Sequence, residues 1–320
     1  MIRPMHRLRR FVAGLILLGA AQTGLRAAEV AVGAYRGWSG AWTLDNGVVQ
    51  AVVVPEVGRV MQFGFKGEEG VFWENPDLAG KPMPEQPWST PGSFGGDKTW
   101  PAPQSAWNWP PPDVFDRQAL DGMLDGRGGF LLVSPASPKF GIRTERRITL
   151  DEGRPVMRIV TTYQKVQGDP VQVAVWVISQ LKDPEKVFLP IPAKSRFQGG
   201  LATTWDWPSP FLRFAFRRVA MERDPKVGHK IGNDASRMLW VGRSASLMIE
   251  CPRETEGTYP DGGCSAEVYT NGDPARYVEL ETLGPLRTLS LGDSISATNT
   301  YTLHRRRKPT PEAEATALLR

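Results

Sequence analysis

The chain has 320 residues, of which 41% are hydrophobic and 23% are charged, and this composition excludes an intrinsically disordered protein. Its formal charge of +5 arises within residues 1–28, which carry five arginines and no acidic residue; beyond them, 34 basic residues balance 34 acidic ones. We therefore predict no binding to nucleic acid. The three histidines are scattered and the acidic residues lack the spacing of a calcium loop, so we predict no metal ion and no other cofactor.

Residues 1–28 have the pattern of a secretory signal peptide. A basic segment, MIRPMHRLRR, precedes an apolar run of eleven residues, FVAGLILLGAA, and small residues offer a cleavage site near Ala27 or Ala28. The apolar run is too short to span a bilayer as a stable helix. We therefore expect export to the bacterial periplasm or to the exterior, with no membrane association once the signal is removed. The alternative is an uncleaved N-terminal anchor.

Residues 29–305 consist of short apolar runs separated by turn residues, a pattern typical of β-strands. The first pair, in WTLDNGVVQAVVVP, surrounds Asn46-Gly47 and predicts a hairpin. Later runs are rich in Val, Ile, Thr, Tyr and Phe, and none keeps a helical period over three turns. We predict one large antiparallel β-sandwich domain; the alternative for some runs is a buried helix. Residues 306–320 are expected to form a flexible, solvated tail with at most a short terminal helix.

The stretch GGDKTWPAPQSAWNWPPP, Gly95 to Pro112, lies in a long predicted loop, residues 76–129. Its three tryptophans offer flat apolar faces that match the C–H face of a sugar ring, and its five prolines keep the chain stiff. The candidate binding residues are Asp97, Lys98, Trp100, Gln104, Trp107 and Trp109, with Asn108 as a further polar group. Trp205 and Trp207 repeat the pattern. The alternative is a hydrophobic cluster that pins the loop onto the domain.

The segment YVELETLGPL, Tyr277 to Leu286, predicts a strand with two carboxyl groups on one face. Alternation places Tyr277, Glu279 and Glu281 together, and two neighbouring carboxyl groups suit acid–base chemistry when their face lines a pocket. The alternative, which is the commoner situation, is a solvated outer face. His229, in HKIGND, is a candidate catalytic residue, although a lone histidine near a turn is more often structural.

Cys251 and Cys264 flank the turn-rich segment PRETEGTYPDGG. In an exported protein, a disulfide closing this loop is one prediction, and it would stabilise the fold by about 3 kcal/mol in the chain-entropy model. The alternative is a pair of buried free thiols.

Several of these segments together resemble an exported, mostly bacterial family of the galactose mutarotase-like superfamily, a domain of unknown function related to aldose epimerases. The matching stretches are VVVPEVGRVMQFGFKG, FWENPDL, GGDKTWPAPQ, WPPPDVFD, KIGNDA, YPDGGCSAEVYTN and YVELETLGPLRTLSLGD. The resemblance implies a β-supersandwich, with large antiparallel sheets and a concave face for carbohydrate. It further implies Glu281 as a catalytic base and Lys98 as a contact to sugar hydroxyls, at a position where mutarotases more often have arginine.

One position departs from the mutarotase pattern. The family places a histidine acid on a central strand, in a segment reading Asn-His-Thr-Tyr-Phe, whereas the corresponding stretch VAVWVISQL has no histidine and places Trp176 near that position. Trp176 would offer a stacking surface instead of an acid. We therefore expect a monomeric carbohydrate-binding protein without efficient epimerase activity. The alternatives are an aldose 1-epimerase with Glu281 as base and a relocated acid, such as His229 or Lys98, and a protein–protein interaction module of the cell envelope.

Overall fold

The computed structural model of the protein describes residues 28–82, 93–203 and 209–320. In chain order, its strands are β1 (Glu29–Tyr35), β2 (Trp38–Asp45), β3 (Val49–Val54), β4 (Arg59–Phe65), β5 (Asp97–Ala102), β6 (Asp121–Leu124), β7 (Phe130–Val133), β8 (Ile142–Leu150), β9 (Val156–Lys165), β10 (Val171–Lys182), β11 (Lys186–Pro190), β12 (Ala202–Thr203), β13 (Leu212–Ala215), β14 (Arg218–Met221), β15 (His229–Asn233), β16 (Arg237–Val241), β17 (Ala245–Glu250), β18 (Ala266–Thr270), β19 (Tyr277–Leu283), β20 (Arg287–Leu289) and β21 (Ser294–Arg305). The α-helices of the described residues are α1 (Asp113–Asp116) and α2 (Pro311–Leu318).

The strands form two large antiparallel sheets. The first has the order β1-β2-β3-β4-β5-β10-β19-β18-β15-β12, with β20 also paired to β10, and the second has the order β13-β14-β11-β16-β17-β21-β9-β8-β7-β6. The main hydrophobic core joins the two sheets, for example Val53 and Leu280 from the first with Ile159 and Leu247 from the second. The predicted all-β sandwich is thus confirmed.

The tryptophan- and proline-rich stretch is more regular than the predicted loop, because it contains β5. This strand pairs with the central strand β10, with Trp100 opposite Trp176. On its other side, the ladder to β4 has one residue pair, Val60 with Asp97. Pro101 is tolerated in β5 because a strand with one largely unpaired edge does not need every N–H for its ladder.

The C-terminal residues are packed, in contrast to the expected flexible tail. The hydroxyl of Thr310 accepts a hydrogen bond from the N–H of Ala313 at 3.2 Å and caps the start of α2. Ala315 is buried against Phe188 and Leu239 of the second sheet. This small apolar contact orders a segment whose composition alone indicated solvation. Of the helices within the described ranges, none has the length and apolar character needed to cross a membrane.

The predicted disulfide is absent: Cys251 and Cys264 are both buried free thiols. The sulfur of Cys264 packs so closely on Gly232 that a Cβ atom added to this glycine would lie 2.8 Å from the sulfur. The thiol of Cys251 instead interacts with Thr282. The two side chains therefore have different neighbours, as the alternative prediction required. Burial raises the pKa of both thiols, to about 11 for Cys251.

Candidate functional site

A cavity of about 410 Å³ lies on the face of the first sheet that turns away from the second sheet. Its wall is built on β5, β10, β19, β18 and β15, which are consecutive neighbours. Because side chains alternate along a strand, the residues that reach the cavity from one strand are an even number of positions apart, as are Lys98 and Trp100 or Glu279 and Glu281. Among the candidates from the sequence, the residues that line it are Lys98, Trp100, Gln104, Trp109, Trp176, Tyr277, Glu279 and Glu281.

The register of the central strands sets the spacing of these side chains. Ile178 of β10 lies opposite Lys98 of β5 on one side and opposite Glu281 of β19 on the other. Lys98 and Glu281 are therefore two strand spacings apart, about 10 Å. Two aromatic residues, Trp100 and Trp176, form the adjacent row across the same strands.

Three tryptophans form one wall of the cavity. The rings of Trp100 and Trp176 meet edge to face with centroids 5.4 Å apart, and Trp109 packs on Trp100 at 6.2 Å. Trp109 is 56% exposed, so it stands at the mouth. The indole N–H of Trp100 donates to Asp116 and that of Trp176 donates to Glu281, each at 2.7 Å. Lys98 Nζ lies 3.9 Å from the ring centroid of Trp100, and Lys230 Nζ lies 4.9 Å from that of Trp176. The most accessible indole surface of this wall is therefore that of Trp109.

Asp116, at the end of α1, fixes the β5 side of the cavity. Its Oδ1 accepts hydrogen bonds from Lys98 Nζ at 2.8 Å, from the indole of Trp100 at 2.7 Å and from the guanidinium of Arg59 at 3.2 Å. All four side chains are buried. Burial lowers the pKa of Lys98, and the negative charge of Asp116 opposes this shift without outweighing it. Burial alone would raise the pKa of Asp116, but Lys98 and Arg59 outweigh it and lower that pKa.

A second charged cluster occupies the opposite side. The ammonium of Lys230 in β15 lies 3.1 Å from Glu281 and 2.6 Å from Glu267 of β18. Burial raises the pKa of Glu267 to about 8, and Glu281 adds to this while Lys230 opposes it. Burial would lower the pKa of Lys230, but its two carboxylate neighbours raise it overall. Lys230 therefore carries a proton beside Glu281 at neutral pH.

Glu279 is the remaining carboxyl group of the wall. Its Oε1 accepts a hydrogen bond from the amide of Gln180 at 2.8 Å, and within the described residues it forms no ion pair. Burial raises its pKa to about 7. The nearby charge of Glu281 raises this pKa further, whereas the charge of Lys98 lowers it.

Two candidates from the tryptophan-rich stretch do not line the cavity. Asp97 points to the second sheet, where its carboxylate binds Arg146 and accepts hydrogen bonds from Ser179 and Tyr301, each at 2.6 Å. Alternation along β5 separates it from its neighbour in the sequence. Trp107 packs beneath Trp100, and its N–H donates to the carbonyl of Pro101 at 2.7 Å. Trp107 is therefore part of a hydrophobic cluster that holds the segment on the domain, as the alternative prediction stated.

His229 is also outside the cavity wall. Its Nε2 lies 3.1 Å from Asp224, while its neighbours Gly228 and Lys230 reach the cavity. His229 starts β15 on the same strand face as Ile231, which is part of the main core. The geometry therefore does not support a catalytic role for His229.

The residues of the site that the sequence did not indicate include Arg59, Gln180 and Tyr269, and also three charged residues in stretches that resemble the mutarotase-like family. Asp116 ends WPPPDVFD, Lys230 begins KIGNDA, and Glu267 lies in YPDGGCSAEVYTN. Lys230 and Glu267 could have been found from alternation, because each is a charged residue next to an apolar residue that points to the core from the same strand. Asp116 had no such signal, since only the tertiary fold brings α1 to β5.

Trp205 and Trp207 lie outside the described residues. Among the residues that are described, no group of three or more His, Cys, Asp or Glu side chains is arranged to hold a metal ion.

No protein-family model matches the chain, and no curated protein matches it. A candidate aldose 1-epimerase from Klebsiella pneumoniae aligns with a TM-score of 0.60 at 11% identity, over 91% of this chain and 85% of that one. A galactose mutarotase-like protein from Lactobacillus casei aligns with a TM-score of 0.54 at 10% identity, over 83% and 100%.

A TPR-domain containing protein from Parabacteroides distasonis aligns with a TM-score of 0.58 at 13% identity, over 84% of this chain. The chain spans about half of that protein, 47% of its length. Identities this low establish the fold alone. Taken together, the two sheets and these alignments show that the chain has the galactose mutarotase-like fold, and its buried aromatic cluster is compatible with sugar binding or sugar epimerisation in general.

Proposed function

We propose that this protein binds a carbohydrate in the cavity lined by Trp100, Trp109 and Trp176. The observation that carries the proposal is the pairing of indole carbon surfaces with carboxyl and amide groups, Glu279, Glu281 and Gln104, around one hollow. A pyranose has the complementary form, with a face of C–H groups and a rim of hydroxyls. The cavity volume falls in the range of small-molecule sites.

The concave shape favours a small ligand over a protein partner. Lys98 and Glu281 approach one cavity from two sides, about 10 Å apart on the strand spacing, which suits a single sugar ring. A protein interface of the cell envelope would instead call for a flatter exposed aromatic surface. The mutarotase-like neighbours in structure support the same choice.

Titration calorimetry against hexoses, disaccharides, uronic acids and methylated sugars tests the proposal. Trp109→Ala should weaken binding about three- to tenfold, because an aromatic contact contributes roughly 0.5–1.5 kcal/mol. The matched control is Phe216→Ala, since Phe216 is 90% exposed at the β13–β14 hairpin of the other sheet. No binding by any sugar in the panel, or equal losses in the two variants, would contradict the proposal.

A second candidate function, interconversion of aldose anomers, is favoured by Lys230. Ring opening needs a base for the anomeric hydroxyl and an acid for the ring oxygen. Glu281 is positioned as the base, and Lys230, 3.1 Å from it, is a protonated group that replaces the missing histidine. NMR exchange rates should fall by on the order of 10²–10⁴ in Glu281→Gln if this function operates. Equal rates in the two proteins would exclude it.

We also propose that residues 1–28 export the protein to the periplasm or the cell exterior, where it acts as a monomer without membrane association. The basic and apolar segments of these residues support this proposal. N-terminal sequencing of the mature protein should find a start close to Glu29, and an intact Met1 on the exported form would contradict it.

A further inference from the structure

The ion pairs in and behind the cavity wall leave one of its four acidic groups without a direct cationic partner. Arg59 and Lys98 share Asp116, at 3.2 and 2.8 Å. Lys230 lies between Glu267 and Glu281. Within the described residues, none of these three cations forms an ion pair with the fourth acid.

That fourth acid is Glu279. It lines the cavity, and its only hydrogen bond within the described residues comes from the neutral amide of Gln180. Glu279 is half-buried, and Lys98 and Lys230 act on its carboxylate at longer range than a direct ion pair. A cation supplied by a ligand would therefore form the direct ion pair that the free site lacks at Glu279.

Two tyrosine residues neighbour the same carboxylate. Tyr269 lies directly opposite Glu279 in the β18–β19 ladder, and Tyr277 precedes it on the same strand face. Trp73 packs on Tyr277 with ring centroids 4.5 Å apart. A carboxylate beside aromatic faces is a favourable environment for an ammonium group, because the ring quadrupole and the negative charge both attract a cation.

We propose that the ligand carries an ammonium group that pairs with Glu279, so that free amino sugars are the carbohydrate class that this cavity takes in preference to neutral or acidic sugars. The inference rests on the proposed carbohydrate-binding function. Both buried indole N–H groups are engaged within the protein, so they do not compete with the ligand for Glu279, whose carboxylate accepts from hydroxyl and ammonium donors. A uronate would instead place its own negative charge beside Glu279 and Glu281.

Protonation of Glu279 competes with binding of the ligand's ammonium group. The charged and titratable groups that face Glu279 from the surrounding strands are Arg59, Lys98, Lys230, Tyr269, Tyr277 and Glu281. In this setting burial raises the pKa of Glu279 to about 7, so the empty site holds a proton below that pH. Binding of an ammonium group should expel the proton, and the preference for amines should grow from pH 6 to about pH 7.5. Above that pH it should decline, because the sugar amine loses its own proton near the α-amino pKa of about 7.7–8.0.

The experiment compares matched sugars by calorimetry at pH 6 and pH 7.5. For the gluco, galacto and manno series, the free 2-amino sugar, its N-acetyl form, the parent hexose and the uronate are titrated against the whole protein. The amine should bind on the order of tenfold more tightly than its N-acetyl form and its parent at pH 7.5, with the uronate weakest. Glu279→Gln should abolish this ratio, whereas Glu152→Gln, in an exposed turn, should keep it.

The possible outcomes test separately the preference for amino sugars, the role of Glu279 and carbohydrate binding itself. If the parent hexose binds as tightly as its amine, or a uronate binds best, the amino-sugar inference is overturned and carbohydrate binding stands. If Glu279→Gln keeps the preference for amines, the assignment to Glu279 is overturned. If no sugar of any series binds, the proposed function fails and the inference fails with it.

Discussion

Replacing Asp116 by asparagine tests how the cavity wall is held in place. The substitution keeps the side-chain size and an oxygen that can still accept from the indole of Trp100. It removes the negative charge shared by Lys98 and Arg59, both of which are buried. The variant therefore leaves two buried cations without a counter-charge.

The expected loss follows from that imbalance. Removing one partner of a buried ion pair lowers the free energy of unfolding by about 3–5 kcal/mol. At about 2–4 °C per kcal/mol for a domain of this size class, the melting temperature should fall by roughly 6–20 °C. Thermal and urea unfolding at pH 7 measure both quantities. The control is Asp113→Asn in the same helix, whose side chain is 72% exposed, and it should change the free energy by less than about 0.5 kcal/mol.

A second substitution separates charge from packing. In the Asp116→Asn protein, Lys98→Met removes one uncompensated cation and should recover part of the lost stability, whereas in the wild type the same change should not stabilise. The reasoning is refuted if Asp116→Asn melts like Asp113→Asn, or if Lys98→Met has the same effect in both backgrounds.

Three further predictions concern thiols, pH and the tryptophan cluster. In denaturant without reductant, Cys251 and Cys264 should both react with an alkylating reagent, whereas the folded protein should resist it; a mass without two labels would indicate a disulfide. Because the pKa of Glu267 is raised from 4.5 to about 8, the free energy of unfolding should fall as the pH rises through that interval. In Glu267→Gln, urea unfolding should show a weaker fall over the same interval, and an equal fall in the two proteins would contradict the shift. Trp107→Ala should lower the free energy of unfolding by about 3–5 kcal/mol, and Trp109→Ala, at the exposed mouth, by less than half as much; equal losses would place both rings in the same packing role.

Period-two alternation accounts for most of what the sequence predicted about the site. It places Tyr277, Glu279 and Glu281 on one face of β19, and the structure has them lining one cavity. The same alternation in DKTW and HKIGN separates neighbouring residues onto opposite faces. Asp97 and His229 are one residue out of phase with the cavity, so Lys98 and Lys230 reach it instead.

The remaining part of the site could not be predicted from local pattern. Asp116 contacts Lys98 and Trp100 only because α1 folds back onto β5, a contact that no spacing rule encodes. Cys251 and Cys264 have a separation suited to a disulfide loop, yet each thiol packs against different neighbours. Packing of α2 likewise depends on a surface of the second sheet that is formed by residues far away in the chain.

The opposite orientations of Asp97 and Lys98 have a consequence for folding. Each is tied to a buried partner on its own side of β5, Asp97 to Arg146 and Lys98 to Asp116. A slip of the strand by one residue would exchange the two sides, leaving a carboxylate facing another carboxylate and an ammonium facing a guanidinium. In a proline-containing strand with one nearly vacant edge, the paired charges thus reinforce the register that the ladder to β10 sets, and the position of Trp100 is specified along with it.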